Sequence, residues 1–131
     1  MSAEELNGDP DAQLLKGRTG IARLLHATGY SLAGLKSAYR GEAAFRQLLL
    51  LNALLLPIAS LVDVTRSERV LLIAVALLAL IVELLNSAIE ATVDRISLSL
   101  HPLSKQAKDM GSAAQLLALA LIGLTWGLIL L

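Results

Sequence analysis

The sequence predicts an all-α membrane protein: three transmembrane helices preceded by an amphipathic helix lying in the membrane interface. Three observations carry that prediction. Of 131 residues, 56% are hydrophobic and 3% aromatic, with a mean hydropathy of +0.68. Apolar content built from Leu, Ala, Ile and Val suits helices packed in lipid better than a soluble aromatic core. Three apolar stretches each approach the ~20 residues that a bilayer requires. Finally, one of these stretches ends in a cluster of polar groups, and ionisable residues inside membrane segments usually face a bundle interior or a site.

The totals exclude several classes. Eleven basic and eleven acidic residues cancel, so nothing suggests nucleic acid as a partner. There is no Cys, which rules out disulfides and thiolate metal sites. No apolar run occurs in the first forty residues, so no cleaved signal peptide is expected and the spans themselves must direct insertion.

Taken in order, residues 1–12 carry Glu4, Glu5, Asp9, Asp11 and Pro10, a composition expected of a disordered acidic tail. Over 13–40, Leu14, Leu15, Ile21, Leu24, Leu25, Leu32 and Leu35 alternate with Lys16, Arg18, Arg23, His26, Lys36 and Arg40. This reads as one or two basic amphipathic helices at the interface, broken near Gly29, with Tyr30 and Tyr39 suited to that level. GYSLAGLKS (29–37) imitates a phosphate-binding loop, but Leu35 separates the glycine from Lys36 and no strand precedes it, so that reading is rejected.

The first span is expected at about 43–62, entered by Glu42, Arg46 and Gln47, with i, i+4 spacing bringing Glu42 beside Arg46. Pro57 lies within it, as membrane helices tolerate. Asp63 to Arg69 is a short polar turn. The second span, about 70–93, opens on thirteen uninterrupted apolar residues, Val70 to Val82. A polar connection follows over 96–111, and the third span occupies 113–131, with Gln115 and Thr125 its polar residues. Six Lys and Arg residues lie in the chain through Arg46 and three in the second connection. The first connection has two, offset by Asp63 and Glu68. The positive-inside rule therefore puts the N-terminus and second connection in the cytoplasm, and the C-terminus outside.

The second span ends in VELLNSAIEATVDR (82–95). At 100° per residue, Glu83, Asn86, Ser87, Glu90 and Asp94 fall within an arc of roughly 100°. In the predicted topology Glu42, Lys108, Asp109 and Ser112 come to the same cytoplasmic level. Oxygen ligands without thiols favour a hard cation such as Mg²⁺, held by one or two carboxylates together with substrate phosphates. Lys108, Arg23 and the basic helix would attract an anion, and Glu83, slightly deeper, could accept a proton from a lipid-borne hydroxyl. These parts match phosphoryl transfer from a nucleotide to a lipid alcohol. A polar cluster that only registers the helices, and a transport or proton path, remain open on the same residues.

ELLNSAIEATVDR (83–95), KDMGSAA (108–114) and GEAAFRQ (41–47), with their mutual spacing, resemble the prokaryotic diacylglycerol kinases. The resemblance covers roughly Arg18 to the C-terminus. It implies a small integral membrane lipid kinase, a homotrimer with an N-terminal amphipathic helix and three spans. Such an enzyme uses ATP with Mg²⁺ to convert diacylglycerol to phosphatidic acid and ADP in lipid recycling at the bacterial inner membrane. The resemblance makes Glu83 the general base and Asn86 a residue needed at the site. It gives Glu42 and Glu90 to metal and nucleotide phosphates, and Arg23, Tyr30, His101, Lys108 and Asp109 to the nucleotide. Arg46, Gln47 and Ser112 fall to the lipid, beside Glu83. Leu32 and Tyr39 stand where the best-known members carry Trp, and Pro102 where an acid is common, which touches no proposed acid, base or metal ligand. Undecaprenol kinase activity on the same architecture is the alternative. Three spans cannot enclose a polar cluster alone, so trimer formation with shared active sites also has a physical rationale.

Overall fold

The computed structural model describes residues 20–131; the expected tail over 1–12 and the start of the amphipathic helix over 13–19 lie outside the described residues. Four helices follow in order: α1 (Ile21–Gly41), α2 (Ala43–Leu61), α3 (Arg66–Ile96) and α4 (Pro102–Leu130). There are no strands among the described residues. The last three helices are long and apolar enough to cross a membrane. The chain forms two compact units, the first ending at Ser37 and the second comprising Ala38–Leu131.

In the first unit, Gly20 takes a left-handed φ of +67°, a conformation that glycine adopts without strain, and α1 begins at the next residue. The helix runs unbroken through Gly29, where a break was expected. The hydroxyls of Thr28 and Ser31 donate to the carbonyls of Leu24 and Ala27 at 2.9 and 3.0 Å, so the turns on both sides of Gly29 keep helical geometry. Leu24, Leu25 and Leu32 are exposed, as befits a helix whose apolar face meets a membrane interface.

The second unit is an antiparallel arrangement with α3 at its centre. α3 packs most extensively on α4 and also against α2. Leu72, Val75, Ala76, Ala79 and Glu83 form its buried stripe, at the spacing that keeps side chains on one helix face. Leu48 of α2 and Ala118 and Ile122 of α4 join Val75 and Ala79 in one apolar cluster. Ala59, Ala76 and Ala79 are fully buried; small residues at these positions let helix backbones approach, the usual basis of association in lipid.

Three side chains tie this packing to a register. Asn52 Nδ2 on α2 donates to the Ala76 carbonyl at 3.0 Å. On α4, Gln115 Nε2 donates to the Ala79 carbonyl at 3.4 Å and Trp126 Nε1 to the Leu72 carbonyl at 3.2 Å. Trp126 therefore joins α4 to α3.

The helix ends explain why α3 and α4 extend beyond their apolar spans. Thr65 and Glu68 form a capping box, each accepting the other's backbone N–H, which starts α3 four residues before Val70. Arg69 Nη1 donates to the Ala59 carbonyl at 2.6 Å and so closes the end of α2. The expected polar connection over 96–111 is helical from Pro102 onward, leaving residues 97–101 as the link. His101 is the N-cap, its Nδ1 accepting from Leu103 N–H at 3.0 Å. Proline is favoured at the first helical position, because its missing donor would be unpaired there anyway.

Candidate active site

Glu42 owes its placement to a one-residue break between α1 and α2. It is the extended N-cap of α2 (φ −122°, ψ 109°), and its side chain makes no capping hydrogen bond. The expected pairing with Arg46 does not form. Arg46 Nη1 donates instead to the carbonyls of Tyr39 and Arg40, at 2.7 and 3.3 Å, closing the last turn of α1. Helix carbonyls left without intrahelical partners take such donors readily. The Glu42 carboxylate thus remains available, at a helix N-terminus that favours negative charge.

Glu42 lines a cavity of about 380 Å³ with Glu83, Asn86 and Glu90 of α3 and Ser112 and Gln115 of α4. The antiparallel register produces this meeting: the start of α2, the far half of α3 and the start of the α4 span lie at one level. Glu83 is 5% exposed and, with Asn52, makes up the buried polar side chains of the described residues. Leu116 and Leu119 also line the cavity, so carboxylates and apolar side chains share its walls.

The remaining polar groups collect in a second cavity of about 220 Å³, at the link between α3 and α4. Asp94, His101, Lys108 and Asp109 line it with Ser97 and Ser99. Lys108 Nζ donates to Asp94 Oδ1 at 2.8 Å, and Lys105 pairs with Asp109 one turn away. Lys108 lies before the third apolar span. The hydrogen bond to Asp94 raises it above the ordinary lysine range, against a smaller opposing effect of desolvation, so it stays cationic. The polar arc expected on α3 is thus divided: Glu83, Asn86 and Glu90 face the first cavity, and Asp94 the second.

The other expected site residues are distributed as follows. Gln47 lines an apolar groove of about 570 Å³ along α2, with Leu50, Leu51 and Leu54. Arg23 and Tyr30 are exposed on α1, in the first unit. Among the described residues no three His, Cys, Asp or Glu side chains converge closely enough to hold a metal ion unaided. Gln115 was not foreseen as a cavity residue, although its presence in an otherwise apolar span was the available signal.

Residues 29–130 match the model of the family described as prokaryotic diacylglycerol kinase. This chain belongs to that family. It is 72% identical over 116 residues to a diacylglycerol kinase of Pseudomonas aeruginosa, covering 88% of this chain and 94% of the relative. It is 51% identical over 112 residues to the diacylglycerol kinase of Escherichia coli K12, covering 86% of this chain and 92% of the relative. The diacylglycerol kinase of Haemophilus influenzae is 46% identical over 112 residues, covering 86% and 95%. The matched region takes in the three helices that, among the described residues, can span a membrane, and both cavities.

Proposed function

We propose that this protein transfers the terminal phosphoryl group of ATP to the free hydroxyl of diacylglycerol, giving phosphatidic acid and ADP. Family membership supports the reaction, and the relatives' names favour diacylglycerol over undecaprenol as acceptor. The observation that carries the reading to particular residues is the cavity shared by Glu42, Glu83, Asn86, Glu90 and Ser112.

Phosphoryl transfer asks little covalent chemistry of the protein; positioning and charge stabilisation dominate. Glu83, the deepest carboxylate, is the general base that takes the hydroxyl proton as the lipid oxygen attacks. Leu116 and Leu119 give the lipid an apolar approach to it, Ser112 contacts the acceptor, and Gln47 and Arg46 meet the lipid along α2. Asn86 sits between Glu83 and Glu90 and orients the reacting groups. Lys108, Asp109 and His101 hold the nucleotide in the second cavity; Arg23 and Tyr30 are assigned to the nucleotide on the family resemblance alone. Glu42 and Glu90 fit Mg²⁺: two carboxylates on one cavity, with no soft donor, suit a hard cation that keeps waters and shares substrate phosphates. Mg²⁺, when bound, supplies neutralisation of the phosphate charge.

In this reading residues 13–131 form one kinase module and residues 1–12 an appendage. The protein lies in the bacterial inner membrane with its N-terminus cytoplasmic and its C-terminus periplasmic, as the distribution of Lys and Arg supports. It works as a homotrimer with shared active sites, because carboxylates at membrane depth need enclosure by protein.

The test is phosphate transfer from ATP in bilayers, with short-chain diacylglycerol or an undecaprenol analogue, for wild type and Glu83→Gln. Mg²⁺-dependent transfer to diacylglycerol that falls at least ~10²-fold in the variant is expected. Transfer to undecaprenol alone would overturn the acceptor, and an unimpaired variant would overturn the base.

A further inference from the structure

Gly111 is buried on α4, one residue before Ser112. A Cβ built on it would lie 2.1 Å from Asn86 Oδ1, 3.1 Å from Asn86 Cγ and 3.8 Å from Asn86 Cβ. The last distance is ordinary van der Waals contact. The spacing between α3 and α4 therefore accommodates an alanine, and the obstacle is the end of the Asn86 amide. Each other described glycine faces open space at its Cβ position, so Gly111 is distinctive in this respect among them.

Asn86 Oδ1 is buried and has no hydrogen-bond partner. No directional contact to that oxygen fixes the amide, so its orientation depends on the shape of the space around it. Gly111 supplies that space. We propose that Gly111 is a positioning residue: its missing side chain is the seat of the Asn86 amide and sets how that amide is presented to the cavity. The proposal rests on the reading of Asn86 as a site residue.

With Gly111→Ala, Oδ1 must retreat from 2.1 Å to at least 3.4 Å, and Cγ from 3.1 Å by a few tenths of an ångström, to reach ordinary contact, which displaces and rotates the amide while leaving the helices in place. Misplacement of that size costs catalysis on the order of 10²-fold. Alanine is also the better helix former, so the fold should not suffer. A residue that merely packs would show the opposite balance.

The experiment compares wild type, Gly111→Ala, Asn86→Ala and the double variant in bilayers. It measures kcat and KM for ATP and for short-chain diacylglycerol, together with the thermal midpoint. Gly111→Ala is expected to lose kcat about 10²-fold, with KM values little changed and the midpoint equal to or above wild type. Once Asn86 is alanine the steric conflict is gone, so the double variant should match Asn86→Ala, a strong departure from additivity. If Asn86→Ala loses kcat but Gly111→Ala does not, the proposal is overturned and the site reading stands. If Asn86→Ala keeps wild-type kcat, the site reading fails and the proposal with it. A lowered midpoint for Gly111→Ala, or a double variant far below Asn86→Ala, would make Gly111 a packing residue and overturn the proposal.

Discussion

Replacing Asn52 with valine should leave the protein as stable as wild type or more so. Asn52 is 3% exposed at the α2–α3 seam. Its Nδ2 donates to the carbonyls of Leu48, one turn back, and Ala76, across the seam, each at 3.0 Å. The Ala76 bond is the one that joins two helices, and such side-chain bonds average about 0.6 kcal/mol in membrane proteins, reaching about 1.7. Against this stands Asn52 Oδ1, buried without a hydrogen-bond partner, a condition costing about 1 to 3 kcal/mol. Valine removes both contributions and keeps the site filled, so the net effect is stabilising by roughly 0 to 2 kcal/mol. The measurement is reversible unfolding in mixed micelles of increasing SDS fraction, with activity assayed in the same preparations. Asn52→Ala, which leaves an unfilled volume, should fall below Asn52→Val. Destabilisation of Asn52→Val by more than about 2 kcal/mol would refute the reasoning, since Oδ1 would then have a donor, supplied in the assembled protein by another chain.

Other outcomes follow from the helix ends and the second cavity. Hydrogen bonding to Thr65, its side chain first and its backbone second, holds Glu68 below the usual carboxylate range at the start of α3. A lowered folded pKa stabilises above the unfolded value of about 4.3 and loses that contribution as pH falls through the folded value. Thr65→Ala should therefore lower the thermal midpoint at pH 7, and by less in unfolding measured at pH 3. Lys108→Met should raise the KM for ATP about tenfold or more with little change in the thermal midpoint, because the pair with Asp94 is half exposed. Equal loss of stability and affinity would mark the pair as structural.

Features set by one helix were legible in the sequence. The thirteen apolar residues from Val70 and the helical spacing of Glu83, Asn86 and Glu90 need no partner to interpret, and these three side chains do face one cavity. Features set between helices were less so. Asp94 shares their arc in projection but stands one turn beyond Glu90, where it meets Lys108 rather than the first cavity. Arg46 had a plausible i, i+4 partner in Glu42, yet the break between α1 and α2 at Glu42 exposes α1 carbonyls that accept the guanidinium. Pro102 looked like part of a polar connection, although proline after His101 is also a helix start. Gly111 carried no signal of its own, since its role depends on where Asn86 lies across the α3–α4 contact.

The length of α3 ties the fold to the chemistry. At 31 residues it extends about 46 Å, against a hydrocarbon core of about 30 Å. An apolar helix of matched length would end where its carboxylates could only meet lipid or only meet water. The surplus lets one rigid element carry the buried Glu83, Glu90 two turns farther along and Asp94 one turn beyond that. A lipid kinase needs this gradation, because its acceptor hydroxyl is tied to the membrane and its phosphoryl donor to water. The 31-residue helix, pinned to α2 through Asn52 and to α4 through Gln115 and Trp126, fixes the distance between those environments. Rigid spacing of this kind supplies the positioning on which phosphoryl transfer depends.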